Sequence, residues 1–411
     1  MSRVRYLFLL SAIFFLAVVI RAVLLFTPGY GPDLYFIARW SAYLSTQGLT
    51  SFFSVFTGHQ LSFPNYALYA PILWVIGKIY RLFSSDFIFD TVLLTALLKI
   101  PALVFDIATG ALLYYFLKGR ERSTALIITA AYLFNPALLY AGVFWGQVDT
   151  LAAFFVFLAF WMIAGERFSF GWCALVVAVL VKPQAIIFVP LFLLATVREK
   201  RWRGLWALLP CVIFIAAIVF LYFGFDVIRA GHEIVRTTER YPYLSMQALN
   251  IWFPFSLLYH GFVRDDSALF SVMTPRLVGA LLFLGVYGIV GWLWWLTKRD
   301  RLALFFSGAM IAFAFFMLAT QMHERYLFFF FPLAAPLLSS RTWRRVWGLL
   351  SFGFLLNLAL VFPPIASFPP SAFLFFAVAG FCLYLVVFAW CLSFLLSSLH
   401  DKSLPRFADT Q

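Results

Sequence analysis

Residues 6–26, YLFLLSAIFFLAVVIRAVLLF, form an apolar stretch that carries one charged residue, Arg21. A helix needs about 20 residues to cross the hydrocarbon core of a bilayer, so this stretch is long enough to span one. It is too long for the apolar part of a signal peptide and has no small-residue cleavage site, so we expect a span that the protein retains. Arg21 lies near the outer end of this span, where a long side chain can snorkel to the interface.

Comparable apolar runs recur to the end of the 411-residue chain, which is 64% hydrophobic and 11% charged. Soluble domains carry roughly 25% charged residues. Only helices and closed barrels satisfy their backbone in lipid, and these runs are too long for barrel strands. The sequence therefore predicts an all-α polytopic membrane protein with about 12 (11–13) transmembrane helices in a single domain, residues 1–411.

The basic residues are distributed asymmetrically, which orients the chain in the membrane. The net charge is +13, and the Lys and Arg residues gather in short loops: Lys118, Arg120, Arg122, Arg198, Lys200, Arg201, Arg203, Lys298, Arg299, Arg301, Arg341, Arg344 and Arg345. Such loops are typical of the cytoplasmic side, and this placement argues against a nucleic-acid partner. We expect both termini in the cytoplasm of a multi-pass cell (inner) membrane protein, with two long outer loops at 27–66 and 226–271.

The first outer loop, residues 27–66, is the first long polar stretch and has one acid, Asp33. Asp33 follows Gly31 and Pro32, so it is either the cap of the next helix or an accessible general base. The apolar stretch Tyr66–Phe83 is short and carries Pro71, Lys78 and Arg81. We expect it to be re-entrant or juxtamembrane, because a crossing here would place the basic loop at 118–122 outside.

Further polar residues of the outer connections are candidates for binding or catalysis. The Trp145–Asp149 motif opens a helix, where Gln147 and Asp149 either cap backbone N–H groups or bind an anion or a sugar hydroxyl. Lys182 lies between apolar stretches and needs a phosphate or carboxylate partner, because a lone ammonium there is costly. The remaining candidates are Gln184, Arg240, Tyr241, His323, Glu324 and Arg325.

Two of these groups have structural alternatives, as do two charges inside the membrane. Arg236, Glu239, Arg240 and Tyr241 either form a solvated surface or include arginines that bind phosphate. The motif 323–325 either pairs Glu324 with Arg325 or uses His323 to protonate a leaving phosphate. Inside the membrane, Lys99 and Asp106 are seven residues apart on one helix, so we expect them to neutralise each other or to pair with neighbouring helices.

Taken in order, these motifs resemble those of the GT-C superfamily of integral-membrane glycosyltransferases. The similarity is greatest to bacterial mannosyltransferase-like members related to the GPI mannosyltransferases, and it covers nearly the whole chain. It rests on the following segments: Gly31–Asp33, Phe63–Tyr66, Lys99 with Asp106, Asn135-Pro136, Trp145–Asp149, Lys182–Gln184, Tyr241–Ser245, Asn250–Trp252 and His323–Tyr326.

The resemblance implies a GT-C fold whose first outer loop bears juxtamembrane helices. It also implies transfer of a hexose, with mannose as the first expectation, from a polyprenyl-phosphate donor to a lipid-linked glycan or other hydroxyl acceptor. Asp33 would act as base for an inverting reaction on the extracytoplasmic face, and His323 matches the His of a His-Glu-Lys/Arg motif in related glucosyltransferases.

This chain departs from its relatives in two places, and other functions remain open. No second acid follows Asp33 within the loop, which leaves a metal requirement open, with Mg²⁺ or Mn²⁺ as the candidate cation. Phe63-Pro64-Asn65 replaces the Tyr-Pro-Pro of many relatives, which leaves the acceptor geometry open. A transporter or flippase of a lipid-linked saccharide, or an inactive scaffold subunit, is the alternative to an enzyme.

Overall fold

The computed structural model describes residues 2–50, 52–53, 67–89, 91–224, 226–239, 241–259, 261–267, 273–297, 300–362 and 367–400. The elements up to residue 240 are α1 (Arg3–Leu25), α2 (Gly31–Gln47), α3 (Ala70–Arg81), α4 (Val92–Leu117), α5 (Arg122–Leu133), α6 (Pro136–Leu139), a π-helix (Tyr140–Phe144), α7 (Asp149–Ala164), α8 (Phe168–Val181), a 3₁₀ helix (Pro183–Phe188), α9 (Val189–Arg198), a 3₁₀ helix (Trp202–Ala207), α10 (Leu208–Phe223) and α11 (Val227–Glu239).

The elements after residue 240 are β1 (Ser245–Met246), α12 (Phe253–Leu258), α13 (Pro275–Leu296), α14 (Arg301–Leu318), β2 (Met322–His323), a 3₁₀ helix (Tyr326–Phe329), α15 (Phe330–Ala334), a 3₁₀ helix (Ala335–Leu337), α16 (Arg341–Val361) and α17 (Pro370–His400). The two short strands pair in parallel. No larger sheet is present in the described ranges, which confirms the prediction of an all-α polytopic protein.

The chain forms two compact units. Unit 1 comprises residues 1–134, 139–189 and 199–240, and unit 2 comprises residues 135–138, 190–198 and 241–411. In unit 2, 89% of the most apolar window of α14 is buried, so this helix is central to that unit. In unit 1 the corresponding figure for α1 is 11%, as expected for a helix whose apolar surface faces lipid. The expected single domain stays a prediction.

Seven described helices are long and apolar enough to cross a membrane, or eight if the pair formed by 122–133 and 136–144, bent by 42°, is one span. Four further apolar segments are shorter: Asp149–Ala164, Phe168–Val181, Pro183–Arg198 and Tyr326–Leu337. The predicted number of transmembrane helices, about 12, exceeds the number of long helices because hydropathy alone does not distinguish such short segments from full spans. A multi-pass membrane protein is nevertheless what these helices form.

Capping side chains and prolines mark where several spans begin. Ser2 accepts a hydrogen bond from the backbone of α1, Thr91 from that of α4 and Asp300 from that of α14. Each side chain satisfies a backbone N–H that has no partner within the first helical turn. Thr274 does the same for α13, where Pro275 at the first helical position has no N–H to satisfy.

Helices α2 and α3, which follow α1 in the chain, pack closely against each other. The hydroxyl of Ser41 on α2 donates to the carbonyl of Leu73 on α3 over 2.8 Å. A Cβ atom at Gly77 would lie 2.4 Å from the carbonyl oxygen of Ser41, so glycine allows this approach. At 12 residues, α3 is about 18 Å long and too short to cross a core of about 30 Å. This agrees with the juxtamembrane expectation; residues 63–66 lie outside the described ranges.

A fully buried ion pair joins α1 to α4 inside unit 1. The side chains of Arg21 and Asp106 are both 0% exposed, and Arg21 Nη2 donates to Asp106 Oδ2 over 2.6 Å. Arg21 also donates to the carbonyl of Leu133, and the Tyr132 hydroxyl donates to Asp106. The prediction that Arg21 snorkels is therefore wrong: Asp106 supplies a counter-charge within the helix bundle. Pairing of Asp106 with a neighbouring helix, one of the two expected arrangements, is confirmed.

Removal of one member of this pair should destabilise the protein more than removal of both. Asp106→Leu leaves the Arg21 charge buried without its carboxylate, which costs about 3–5 kcal/mol. The double variant Arg21→Met/Asp106→Leu removes both charges and should recover part of this loss. The measurement is the Tm of the detergent-solubilised protein, followed by tryptophan fluorescence.

Asp86→Asn is the control, because Asp86 is an exposed carboxylate and should leave the Tm close to wild type. If the decrease in Tm of the double variant equalled the sum of the decreases in the two single variants, this result would contradict the pairing.

Candidate functional site

Asp33 occupies the first turn of α2 and is held by two donors from the Trp145–Asp149 motif. The indole Nε1 of Trp145 donates to Asp33 Oδ2 over 2.8 Å, and the side-chain amide of Gln147 donates to the same oxygen. The N-cap position of α2 is Tyr30, and no side chain caps this helix end. The carboxylate is half-buried and oriented by two neutral N–H groups. The cap interpretation of Asp33 is therefore wrong.

Two glycines with positive φ allow the two segments to meet. Gly29 has a φ of +71° and Gly146 a φ of +92°, a region that side chains rarely adopt. A Cβ atom at Gly29 would lie 3.1 Å from the Trp145 carbonyl oxygen, and one at Gly146 would lie 2.9 Å from Leu34 Cδ2. The backbone N–H of Tyr30 donates to the Trp145 carbonyl over 3.1 Å, and the Tyr30 and Trp145 ring centroids are 4.6 Å apart.

Lys99 packs beneath these glycines and binds the C-terminal end of α1. Its ammonium donates to the carbonyl of Thr27 over 2.6 Å, to the Thr27 hydroxyl over 3.0 Å and to the carbonyl of Leu24 over 3.3 Å. The last carbonyls of a helix lack intrahelical partners and carry partial negative charge, so they suit a buried cation. Lys99 is thus bound without Asp106, and the expected mutual neutralisation of these two residues is wrong.

Asp149 and Lys182 form a second buried pair within unit 1. Asp149 begins α7, Lys182 follows the last residue of α8, and the ammonium donates to Asp149 Oδ1. The two residues are 2% and 8% exposed, respectively. The expected carboxylate partner of Lys182 is therefore confirmed. No side chain caps α7, so the capping interpretation of Gln147 and Asp149 is wrong.

Gln184 lies two residues beyond Lys182, in the 3₁₀ helix that follows α8. Its Oε1 atom is buried and has no hydrogen-bond partner among the residues that the structure describes. The short chain segments 145–149 and 182–184 therefore bring Asp33, Gln147, Asp149, Lys182 and Gln184 into one region of unit 1. We call this group the Asp33 cluster.

His323, Glu324 and Arg325 lie in unit 2, next to the pairing of β1 with β2. His323 pairs with Met246 in the parallel register, and its ring lies 5.4 Å from that of Tyr241 and 5.1 Å from that of Tyr326. The Arg325 guanidinium donates a hydrogen bond to Glu324 Oε1 over 2.7 Å. The other carboxylate oxygen, Oε2, lies 3.7 Å from His323 Nδ1. Pairing of Glu324 with Arg325 is thus observed. Arg240 lies outside the described residues.

Neighbouring charges control the ionisation of Glu324. Burial alone would raise the pKa of Glu324, but the charge of Arg325 and the contact with His323 outweigh burial and lower this pKa to about 2. Glu324 is 2% exposed, so water screens this pairing little. The carboxylate is therefore ionised at neutral pH and fixes the side chains on both sides of it.

Sequence reasoning did not include Trp145 or Asp265 among the site residues. Trp145 belongs to the Trp145–Asp149 motif, but it has no ionisable group that would indicate a catalytic role. Its indole N–H donates a hydrogen bond to Asp33. Asp265 is 0% exposed and pairs with Arg276, the second residue of α13. The signal for Asp265 was an acid close to an Arg that opens a long apolar helix. Within the described ranges no group of three His, Cys, Asp or Glu side chains could hold a metal, and the Mg²⁺ or Mn²⁺ candidate stays a prediction.

Gly146→Ala should destabilise unit 1, because alanine is strained at a φ of +92° and its Cβ would press on Leu34. We expect a loss of about 1–3 kcal/mol in the free energy of unfolding, measured by thermal or chemical unfolding. The control is Gly285→Ala in α13, where nothing lies within 4 Å of the added Cβ. This change should be neutral or stabilising, since alanine is favoured inside helices. Equal effects of the two variants would contradict the proposed constraint at Gly146.

The pH dependence of stability should identify the Glu324 pairing. The folded pKa of about 2 lies below the ordinary value of 4.5, so the stabilisation is complete above pH 4.5 and is lost as the pH falls toward 2. The Tm difference between wild type and Glu324→Gln should therefore be constant near neutral pH and shrink below pH 4.5. Glu166→Gln, which alters an exposed pair with Arg201, should change the Tm little at any pH.

Comparison with protein-family models adds the identity of the chain. Residues 68–320 match the model of glycosyltransferase family 87, a match that covers more than half of the chain and includes the motifs from Lys99 to Gln184. No curated protein matches the chain in a sequence search. The family confirms the predicted resemblance to membrane glycosyltransferases of the GT-C type and a transferase activity that acts on a sugar donor and an acceptor. The chain therefore belongs to glycosyltransferase family 87.

Proposed function

We propose that this glycosyltransferase moves a hexose, with mannose as the first candidate, from a polyprenyl-phosphate-sugar donor to a hydroxyl acceptor on the extracytoplasmic face of the cell membrane. The observation that carries the proposal is the environment of Asp33. The Trp145 indole and the Gln147 side-chain amide both donate to Oδ2 of this half-buried carboxylate. Neutral donors orient a carboxylate without cancelling its negative charge.

In this proposal Asp33 is the general base of a single displacement. The Asp33 carboxylate takes the proton of the acceptor hydroxyl while that oxygen forms a bond to the anomeric carbon of the sugar. The bond between this carbon and the phosphate oxygen breaks, and its electron pair leaves with polyprenyl phosphate. Attack on the face opposite the leaving group inverts the anomeric configuration. General-base catalysis of this kind contributes about 10²–10⁴-fold to the rate.

The Asp149–Lys182 pair suits a sugar better than a free phosphate. A cation that is already neutralised by a buried carboxylate attracts an anion less strongly, whereas both partners can still bind hydroxyl groups. Gln147 and Gln184 add amide groups of the kind that read hydroxyl positions. We therefore assign these four residues to the donor or acceptor sugar rather than to the donor phosphate.

The cationic groups that follow residue 239 remain the candidates for the phosphate of the donor. His323 would protonate or bind the departing phosphate, and Arg240 and Arg325 would supply positive charge. Tyr241 and Glu324 would hold the imidazole from two sides. These roles derive from the resemblance and from the contacts of His323 within unit 2.

Asp33→Asn should abolish transfer while the protein remains folded. We expect kcat to fall by about 10²-fold or more, because the amide cannot accept the acceptor proton. The assay uses proteoliposomes with radiolabelled polyprenyl-phosphate-mannose or polyprenyl-phosphate-glucose and a membrane-lipid extract as the acceptor pool. Asp86→Asn is the matched control, an exposed acid that contacts Ser85 in the same unit and should retain activity.

Equal transfer by wild type and Asp33→Asn would remove Asp33 from the mechanism. Labelled sugar that crosses the bilayer without forming product would replace the transferase proposal with transport. Transfer from the glucose donor but not from the mannose donor would correct the sugar and leave the role of Asp33 intact.

A further inference from the structure

A buried carboxylate in the second outer loop contacts the chain segment that leads to His323. Asp265 is 0% exposed, and its Oδ1 accepts a hydrogen bond from Arg276 Nη2 over 2.8 Å. Its Oδ2 accepts bonds from the Thr320 hydroxyl over 2.7 Å and from the Gln321 side-chain amide over 3.0 Å. One carboxylate thus joins the start of α13 to the residues that follow α14.

These bonds hold a strained part of the backbone. Gln321 has a φ of +63°, an unusual conformation for a residue with a side chain, and a residue held there costs about 1–3 kcal/mol. The bond from its side chain to Asp265 and the bond from its N–H to the Tyr243 carbonyl, over 2.9 Å, offset this cost. Two residues further on, His323 pairs with the β1 segment. The direction of the chain into His323 is therefore set at Gln321.

The same carboxylate residue also fixes the segment on the opposite side of His323. The N–H of Asp265 donates to the Pro242 carbonyl over 2.9 Å, and the N–H of Leu244 donates to the Val263 carbonyl over 2.8 Å. Tyr241, whose ring lies against His323, directly precedes Pro242. Asp265 therefore contacts two segments that adjoin His323: it bonds to Gln321 on one side and to the Tyr241–Leu244 segment on the other.

We propose that Asp265 is a positioning residue, which holds the His323 imidazole in the orientation needed for glycosyl transfer. The inference rests on the proposed role of His323 in the reaction. A purely structural anchor would stabilise unit 2 without a specific effect on this side chain. A positioning residue changes the reactivity of His323 and loses its influence once His323 is replaced.

Asp265→Asn keeps the size of the side chain but replaces one acceptor oxygen by an amide that cannot accept. We expect kcat to fall about 10- to 100-fold, as for a misplacement of about 1 Å, with a smaller change in KM. In a His323→Gln background, Asp265→Asn should cause no further loss of kcat. Asp266→Asn is the matched control, because the neighbouring carboxylate is exposed and pairs with Arg264.

A second readout does not depend on activity. The full-length protein is treated with diethyl pyrocarbonate, and the carbethoxylation rate of His323 is measured by mass spectrometry relative to that of exposed His232. Asp265→Asn should change this ratio, and Asp266→Asn should not. Gln321→Gly, which permits the positive φ but removes the bond to Asp265, should change the ratio in the same direction and serves if Asp265→Asn does not fold.

The outcomes separate the two proposals. Unchanged transfer by His323→Gln would overturn the catalytic role of His323, while the carbethoxylation ratio would still decide whether Asp265 positions it. Suppose that His323→Gln lowers kcat and that Asp265→Asn lowers it in the His323→Gln background by the same factor as in wild type. This result would overturn the positioning role of Asp265 and leave the role of His323 intact. An unchanged ratio in both Asp265→Asn and Gln321→Gly would also overturn it.

Discussion

Burial of charge in an apolar environment constrains this protein from its first helix to the loop that precedes α13. An unpaired ion inside a membrane protein is costly, so each buried charge has to be matched by a partner on another segment. Arg21 meets Asp106, Lys182 meets Asp149 and Arg276 meets Asp265. Each pair joins two segments that are separate in the sequence. The pairs therefore select which helices and loops become neighbours, a choice that apolar contacts alone leave open.

Lys99 meets the same requirement in a different way, through the carbonyl groups at the end of α1. This places a lysine side chain directly beneath Gly29 and Gly146, where no larger residue would fit. The buried cation and the two glycines together determine how closely the Trp145 turn approaches the start of α2. That approach in turn sets the hydrogen bonds to Asp33, so the geometry of the Asp33 cluster depends on a residue that does not touch the carboxylate.

The sequence predicted the class of fold and the glycosyltransferase family better than it predicted the contacts between side chains. Long apolar runs are sufficient to predict a polytopic helical protein, and the order of the motifs indicated a GT-C glycosyltransferase. Hydropathy predicts a full span for segments such as Phe168–Val181, because it does not reveal that the helix ends before it is long enough to cross the membrane. The partner of Asp106 could not be derived, since pairing between helices depends on their rotation and spacing. The contacts of Asp265 with Thr320 and Gln321 could not be derived either, because these residues lie more than fifty positions away in the sequence.

The pairing pattern also distinguishes the carboxylates by the chemistry open to them. A carboxylate that pairs with Arg or Lys has its negative charge matched by a cation. Asp106, Asp149 and Asp265 each meet a cation, and their positions suit structure or substrate contacts. Asp33 receives an indole N–H and an amide N–H, lies in the first turn of α2 and is half-buried. The general-base proposal for Asp33 draws on this environment, in which an indole and an amide fix one oxygen of a half-buried carboxylate.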